Sequence, residues 1–126
     1  MTTYRTHNPS TGRTVAEYPG LDDDHVDAAL APVPDGFAPW RAPPPAERSS
    51  VLAAIAGGFE ARSDELAAAI SEEMGKPLRQ AEGEVALAAS IYRWYSEHGP
   101  ALLRPETLDV PGARESTVSV EAVGPL

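Results

Sequence analysis

The stretch LRQAEGEVALAASIYRWYSEH, residues 78–98, decides the fold because it predicts the longest helix of the chain. At 1.5 Å per residue this helix would be about 32 Å long. Its apolar side chains form two stripes, the first made of Ala81, Val85, Ala88, Tyr92 and Tyr95 and the second of Leu87, Ile91 and Trp94. Since each stripe needs a covering surface, we expect the helix to pack on two sides.

A second helix is predicted over residues 46–62, where Val51, Ile55 and Phe59 recur every four positions. The pair Gly57-Gly58 lies inside this pattern. Each glycine costs about 1 kcal/mol relative to alanine in a helix interior. Either a neighbouring backbone approaches the helix at this pair, or the helix is locally weak.

A third helix is predicted over residues 63–74. Ser63 is a favourable N-cap residue, and two acidic residues follow it in the first turn. Gly75 and Pro77 supply the signal that ends the helix.

The first twenty residues predict a β-hairpin. Residues 2–6 and 14–18 are rich in Thr, Tyr and Val, and they flank the turn-forming run at residues 8–12. Asp22, Asp23 and Asp24 then predict the start of a helix. This helix must be short, because residues 32–36 read Pro-Val-Pro-Asp-Gly, which predicts an irregular connection.

The last part of the chain predicts one strand. Gly99-Pro100 should end the long helix, and residues 105–112 read as a loop. Beyond them Val118, Val120 and Ala122 alternate with polar residues, as in a strand that needs a partner edge. We therefore divide the chain into a hairpin and helical segment, residues 1–110, and a terminal strand segment, residues 111–126.

Size and charge exclude several classes of protein. A compact chain of 126 residues and 13.3 kDa forms one small domain and buries roughly two-thirds of its extended surface. Its net charge of -9 argues against binding to nucleic acid or to an anionic membrane. No secretory signal and no apolar run long enough to cross a membrane is evident, so we expect a cytoplasmic protein.

The side chains offer little catalytic chemistry. The sequence has no cysteine, and His7, His25 and His98 lack metal-ligand spacing, so we expect solvated or hydrogen-bonded structural histidines. Lys76 lies between glycine and proline, which favours an exposed charge at a helix end over a Schiff-base amine. Gly57-Gly58 does not have the spacing of a phosphate-binding loop.

The acidic side chains of the helices also offer little catalytic chemistry. Neighbouring positions on a helix do not face one another, so we expect the carboxylates of Glu72, Glu73, Glu82 and Glu84 to lie on a solvated face. From the residues alone, the chain is an acidic, mostly helical segment with more apolar stripe than it can cover. It should bind protein.

Short strings in the same order along the chain resemble the amino-terminal part of the NAD(P)-dependent aldehyde dehydrogenase superfamily. They occupy residues 8–12, 37, 40–41, 45–48, 73–77, 81–85, 92–95 and 123–125. The string Glu-Met-Gly-Lys-Pro at 73–77, with Ala-Glu-Gly-Glu-Val at 81–85, is most similar to succinate-semialdehyde dehydrogenases. The sequence departs from the family at residues 32–36, where relatives usually continue the first helix with alanine-rich sequence.

The resemblance implies an α/β fold: the β-hairpin, the helices and a terminal strand of the oligomerisation sheet, without the Rossmann core and the catalytic domain. It implies a reaction in which NAD or NADP accepts a hydride from an aldehyde. The family's cysteine, general-base glutamate and cofactor loops have no counterpart here, so we assign no catalytic, cofactor-binding or metal-binding residue. By resemblance, Leu87 and Ile91 border the substrate tunnel, although ordinary helix packing would also explain them.

Three functions remain open at this stage. The first is an amino-terminal piece of an aldehyde dehydrogenase, inactive alone, whose partner is the remainder of the enzyme or a homologous subunit. The second is a non-catalytic interaction module that binds a dehydrogenase subunit or a separately encoded remainder. The third is a self-contained acidic helical domain of unrelated function.

Overall fold

The computed structural model describes residues 2–112 and 114–125. In this part of the chain five helices lie between two small antiparallel sheets, which makes an α/β fold. The strands are β1 (Thr3–His7), β2 (Thr14–Pro19), β3 (Glu106–Leu108) and β4 (Ser116–Val118). The helices are α1 (Asp23–Leu30), α2 (Val33–Arg41), α3 (Pro45–Ala61), α4 (Ser63–Met74) and α5 (Leu78–Leu102).

The predicted amino-terminal hairpin is confirmed. Strands β1 and β2 pair with Tyr4 opposite Tyr18, and the register shifts between Thr6 and His7. The turn is stabilised by the Asn8 side chain, whose Oδ1 accepts hydrogen bonds from the backbone N–H groups of Ser10 and Thr11 at 2.9 and 3.1 Å. Gly12 completes the turn with φ = 70°, a conformation that favours glycine.

The predicted irregular connection at residues 32–36 is wrong, because α2 begins at Val33. Pro34 lies in the first turn of this helix, where a backbone N–H has no intrahelical acceptor. Proline is therefore tolerated at this position, although it would break a helix interior. Helix α1 is short, as predicted, and the Asp22 side chain caps it by accepting a hydrogen bond from the backbone N–H of His25 at 3.0 Å.

Helices α3, α4 and α5 form the body of the molecule, and the most extensive interface lies between α3 and α5. Among the described residues, the buried hydrophobic side chains are all small, and they are Ala56, Ala67, Ala81, Val85 and Ala89. Phe59, Leu66 and Ile70 pack around them. Small side chains at the contact let the helix axes approach closely.

The ends of α4 and α5 correct two expectations. Ser63 is the first residue of α4 and makes no capping hydrogen bond, so its predicted capping role is wrong. Helix α5 does not end at Gly99-Pro100 but continues to Leu102, because proline removes only one hydrogen bond and the ladder resumes between the Leu103 N–H and the Gly99 carbonyl. The predicted stop at Gly75 is confirmed by its left-handed φ of 69°.

The carboxyl-terminal strand segment differs from its prediction. Strand β4 covers Ser116–Val118 and pairs with β3, which lies inside the predicted loop at residues 105–112. Val120 and Ala122 lie beyond β4 and face α2 instead of extending the strand. Glu121 reaches α2 through an ion pair with Arg41, in which Nη2 and Oε2 are 3.2 Å apart.

The chain leaves much of its surface in contact with solvent. Its accessible surface is 9772 Å², whereas a compact monomer of this mass exposes roughly 6,500 Å². Only about half of the surface of the extended chain is therefore buried, and not the two-thirds expected of a compact domain. Within the described residues, no helix is both long and apolar enough to cross a bilayer.

Candidate functional site

The second apolar stripe of α5 has no covering element in the described structure. Leu87 is 59% exposed, Ile91 48% and Trp94 47%. The first stripe packs against α3 and α4 through Ala81 and Val85, which are buried, whereas Tyr95 at its end remains 51% exposed. The sequence predicts a covering surface for each of two faces of α5. In the described structure only the face of the first stripe has one.

A groove lies between α2, the start of α3 and the last turns of α5. We call it the Trp40 groove, and its main walls are Trp40, Arg48, Leu52, Ile91, Tyr95 and Leu103. Its volume is about 510 Å³, and most of its lining is apolar. A second cavity of about 840 Å³ adjoins it and extends between α2 and the segment that contains Glu121.

Leu87 and Ile91, the two residues predicted to border a substrate tunnel, differ in their position relative to the groove. Ile91 lines the Trp40 groove, whereas Leu87 lies one helical turn earlier and outside it. Both belong to the same exposed stripe of α5. Their role in a tunnel wall stays a prediction.

Arg48 is the cation of the Trp40 groove. Its side chain is partly buried, and Nη1 donates a hydrogen bond to the Arg41 carbonyl oxygen at 3.2 Å. Within residues 2–112 and 114–125, no carboxylate oxygen lies within 4.0 Å of its guanidinium in an ion pair. The neighbouring Arg41 instead pairs with Glu121.

An ion pair and an aromatic stack fix α3 against α5 beside this groove. Arg93 Nη2 lies 2.6 Å from Glu60 Oε1, and this hydrogen bond raises the pKa of the guanidinium. One residue away on each helix, the rings of Phe59 and Tyr92 stack with centroids 5.7 Å apart. The walls of the groove are therefore held on a rigid pair of helices.

The histidines make local contacts, as expected of structural residues. The Nδ1 atom of His25 lies 2.5 Å from Asp22, and this hydrogen bond lowers the pKa of the Asp22 carboxyl. His98 stacks on Trp94 and its Nδ1 is 2.9 Å from the Trp94 carbonyl oxygen. Across the described residues, no three His, Cys, Asp or Glu side chains come together as a metal site.

Lys76 lies in the short connection between α4 and α5, where it pairs with Glu84. It is a charge at a helix end, as predicted, but its side chain is only 29% exposed. The carboxylate of Glu84 is therefore not simply part of a solvated face.

A sequence model of the Aldehyde dehydrogenase family matches residues 1–126 of this chain. The chain belongs to the aldehyde dehydrogenase family. It is 43% identical over 108 residues to succinate-semialdehyde dehydrogenase [NADP(+)] of Deinococcus radiodurans, an alignment that covers 86% of this chain and 23% of that protein.

Solved structures of aldehyde dehydrogenases share this fold. The aldehyde dehydrogenase of Brucella melitensis biovar abortus 2308 superposes with a TM-score of 0.87 at 28% identity, over 94% of this chain and 24% of that one. Succinate-semialdehyde dehydrogenase of Burkholderia pseudomallei gives 0.79 at 32% identity, over 87% and 23%. This aldehyde dehydrogenase chain thus spans about a quarter of the length of the relatives it matches.

The family and fold inferred from sequence are confirmed, but the groove was missed. Trp40 and Arg48 were noticed only as parts of family-like strings. The groove requires α2 and the last turn of α5, and the sequence interpretation placed irregular chain in both positions. The aromatic and arginine content of residues 40–48 was the available signal.

Proposed function

We propose that this chain forms the amino-terminal part of an NAD(P)+-dependent aldehyde dehydrogenase that oxidises succinate semialdehyde to its acid. The observation that carries the proposal is the family match along residues 1–126. The 43% identity to a succinate-semialdehyde dehydrogenase supports the substrate.

The exposed surface supports a role inside a larger assembly. The accessible area exceeds that of a compact monomer of 13.3 kDa by roughly 3,300 Å². Part of this excess is the apolar stripe of Leu87, Ile91 and Trp94. Apolar surface of this kind marks a binding face, so the remainder of a dehydrogenase or a homologous subunit is the proposed partner.

The described residues do not fit the binding of a nicotinamide cofactor. A dinucleotide pyrophosphate is usually held by a glycine turn that opens a helix. Here Gly75 ends a helix, and the space beside its Cα is filled by the Pro9 ring. We assign NAD or NADP binding to the other three-quarters of the family's length, and we expect no cofactor to bind this chain alone.

The same division applies to the reaction. Aldehyde oxidation in this family needs a thiolate nucleophile, and the sequence contains no cysteine. We therefore expect no turnover from the chain alone. The residues of this chain would contribute to the reaction only by position. Leu87 and Ile91 would form one wall of the substrate path once a partner covers the stripe.

Co-expression tests this function. The chain would be expressed with the Deinococcus radiodurans relative from which the matched 108 residues have been deleted. We expect a stable complex that reduces NADP+ when succinate semialdehyde is added, and no reduction by either part alone. If the experiment yields no complex and no turnover, the proposal is wrong.

Two matched variants sharpen the result. Leu87→Glu places a charge on the exposed stripe and should prevent assembly. Leu30→Glu changes an equally exposed leucine on α1, since both are 59% exposed, and should assemble normally. Equal assembly of the two variants would contradict the role assigned to the stripe.

A non-catalytic interaction module is the second candidate. It is favoured by the positions of the residues whose pKa is displaced in the described part of the chain, which are Asp22, Arg62, Glu65 and Arg93. All four belong to exposed ion pairs and none lines the Trp40 groove. A stable complex without restored turnover in the co-expression experiment would support this alternative.

A further inference from the structure

We propose that the Trp40 groove binds an apolar polypeptide segment that carries one carboxylate, and that Arg48 is the residue that pairs with this carboxylate. The inference deepens the proposed function, because it states the chemistry of the partner surface. It rests on the composition of the groove, on the position of its cation and on the shape of the groove.

The composition of the groove is that of a protein-binding surface. Tryptophan, tyrosine and arginine dominate the binding energy of protein interfaces. The groove places Trp40, Tyr95 and Arg48 around one cavity of about 510 Å³. Trp40 and Tyr95 are 47% and 51% exposed, so their apolar faces are available to a partner.

The cation is prepared for an anionic partner. The hydrogen bond from Nη1 to the Arg41 carbonyl directs the Arg48 guanidinium and leaves its other N–H donors free for a carboxylate in the described structure. The nearest acidic residue of the adjoining cavity, Glu121, is already paired with Arg41.

Arg48 differs from the other basic residues that lack an ion pair in the described structure. Arg13, Arg79, Arg104 and Arg114 are exposed, whereas Arg48 is partly buried in an apolar groove. The guanidinium N–H groups that lack a protein acceptor can donate to a carboxylate, and such charge-assisted hydrogen bonds are stronger than neutral ones. An apolar segment with an amide in place of the carboxylate would accept only the weaker hydrogen bonds.

The shape of the groove favours a polypeptide over a small organic acid. Small-molecule sites usually enclose 70–90% of their ligand. The Trp40 groove is open along one side and continues into the second cavity of about 840 Å³. An extended segment can follow this path, whereas a small acid would remain largely in water.

Binding of two matched peptides tests the inference without the rest of a dehydrogenase. The probes are acetyl-Leu-Glu-Phe-Leu-amide and acetyl-Leu-Gln-Phe-Leu-amide, titrated into the full 15N-labelled chain. We expect the Glu peptide to shift the Trp40 indole N–H resonance and to bind about three- to fivefold more tightly than the Gln peptide. Equal affinities would overturn the proposal.

Variants assign the preference to Arg48. Arg48→Gln should abolish the difference between the peptides, and Arg48→Lys should keep part of it because the charge remains. The control is Arg79→Gln, which removes an arginine of α5 that does not line the groove. A preference that survives in Arg48→Gln, or disappears in Arg79→Gln, would contradict the assignment.

A third probe separates the two sources of carboxylate. If 4-phenylbutyrate shifts the same Trp40 resonance and binds more tightly than the Glu peptide, the groove is a small-acid site and the polypeptide proposal is wrong. Because these readouts need no turnover, they can fail while co-expression succeeds, or succeed while it fails. The two proposals are therefore tested separately.

Discussion

The Pro9 ring packs directly against the backbone of Gly75, so that a Cβ atom on Gly75 would lie 2.7 Å from Pro9 Cγ. This contact joins the turn of the first hairpin to the end of α4. Two strings that were noticed separately in the sequence, residues 8–12 and residues 73–77, are thus two halves of one contact. Strand β1 packs on α4 as a result.

Gly75→Ala should destabilise the chain by about 2 kcal/mol, because alanine is strained at φ = 69° and its Cβ collides with Pro9. Urea unfolding measures the loss. Pro9→Ala removes the Cγ atom that collides, so the double variant should recover the steric part of the loss and keep the backbone strain. A Gly58→Ala control should stabilise the chain by about 0.5–1 kcal/mol, because a Cβ at Gly58 would meet no heavy atom within 4 Å beyond its chain neighbours and the backbone of its own helix. Similar losses in both glycine variants would show that the Pro9 contact is not the cause.

Ala81→Leu should destabilise the chain by about 1–3 kcal/mol, because Ala81 is completely buried where α5 meets α4. A larger side chain must push the two helices apart. Ala68→Leu introduces the same side chain at an exposed position of α4, where we expect almost no change. Thermal unfolding followed by circular dichroism compares the two, and equal melting temperatures would contradict the close packing of α4 on α5.

Phe59→Ala should cost about 3 kcal/mol, because it removes the ring that stacks on Tyr92 and packs on the core. Glu60→Ala breaks the neighbouring ion pair with Arg93 but leaves the stack in place. Since both side chains of that pair are about half exposed, its loss should matter much less than the loss of the ring. Chemical denaturation measures both losses. A larger loss of unfolding free energy for Glu60→Ala than for Phe59→Ala would contradict the dominance of apolar packing between α3 and α5.

Asp22 should make the stability of α1 depend on pH in the acid range. Its pKa is lowered in the folded chain from the ordinary value of 3.8, chiefly by the hydrogen bond with the His25 side chain. A carboxyl group with a lowered pKa stabilises the fold above its unfolded pKa, and this contribution is lost as the pH falls through the folded value.

Asp22→Asn still caps the helix but does not titrate. The stability difference between the two chains should be constant above about pH 5 and should shrink below 3.8. The backbone amide resonance of His25 reports the protonation of Asp22 locally. A stability difference that stayed constant down to pH 2 would contradict this prediction.

Elements with both a periodic pattern and clear end signals were predicted well from the sequence. The hairpin, α3, α4 and the start of α5 all combine these signals, and their ends agree with the structure within one or two residues. Two of the errors concern proline. Pro34 and Pro100 were interpreted as breakers, but the first lies in an opening turn and the second removes a single hydrogen bond from a long helix. Periodicity alone does not show which of these positions a proline occupies.

The candidate site was predicted only in part. The exposed stripe of α5 followed from its spacing, because two apolar faces of one helix cannot both be covered by the same neighbours. The Trp40 groove did not follow, since its walls come from residues more than 50 positions apart in sequence, such as Trp40 and Tyr95. No local pattern reports a pairing over that distance.

The small side chains of the core also affect how the chain responds to heat. Four of the five buried residues in the described part of the chain are alanines, so unfolding exposes less new apolar area than unfolding of a compact domain of the same mass. The heat-capacity increment of unfolding depends mainly on that area. A calorimeter should therefore record a smaller heat-capacity step on unfolding for the isolated chain than for the chain with a partner that covers α5.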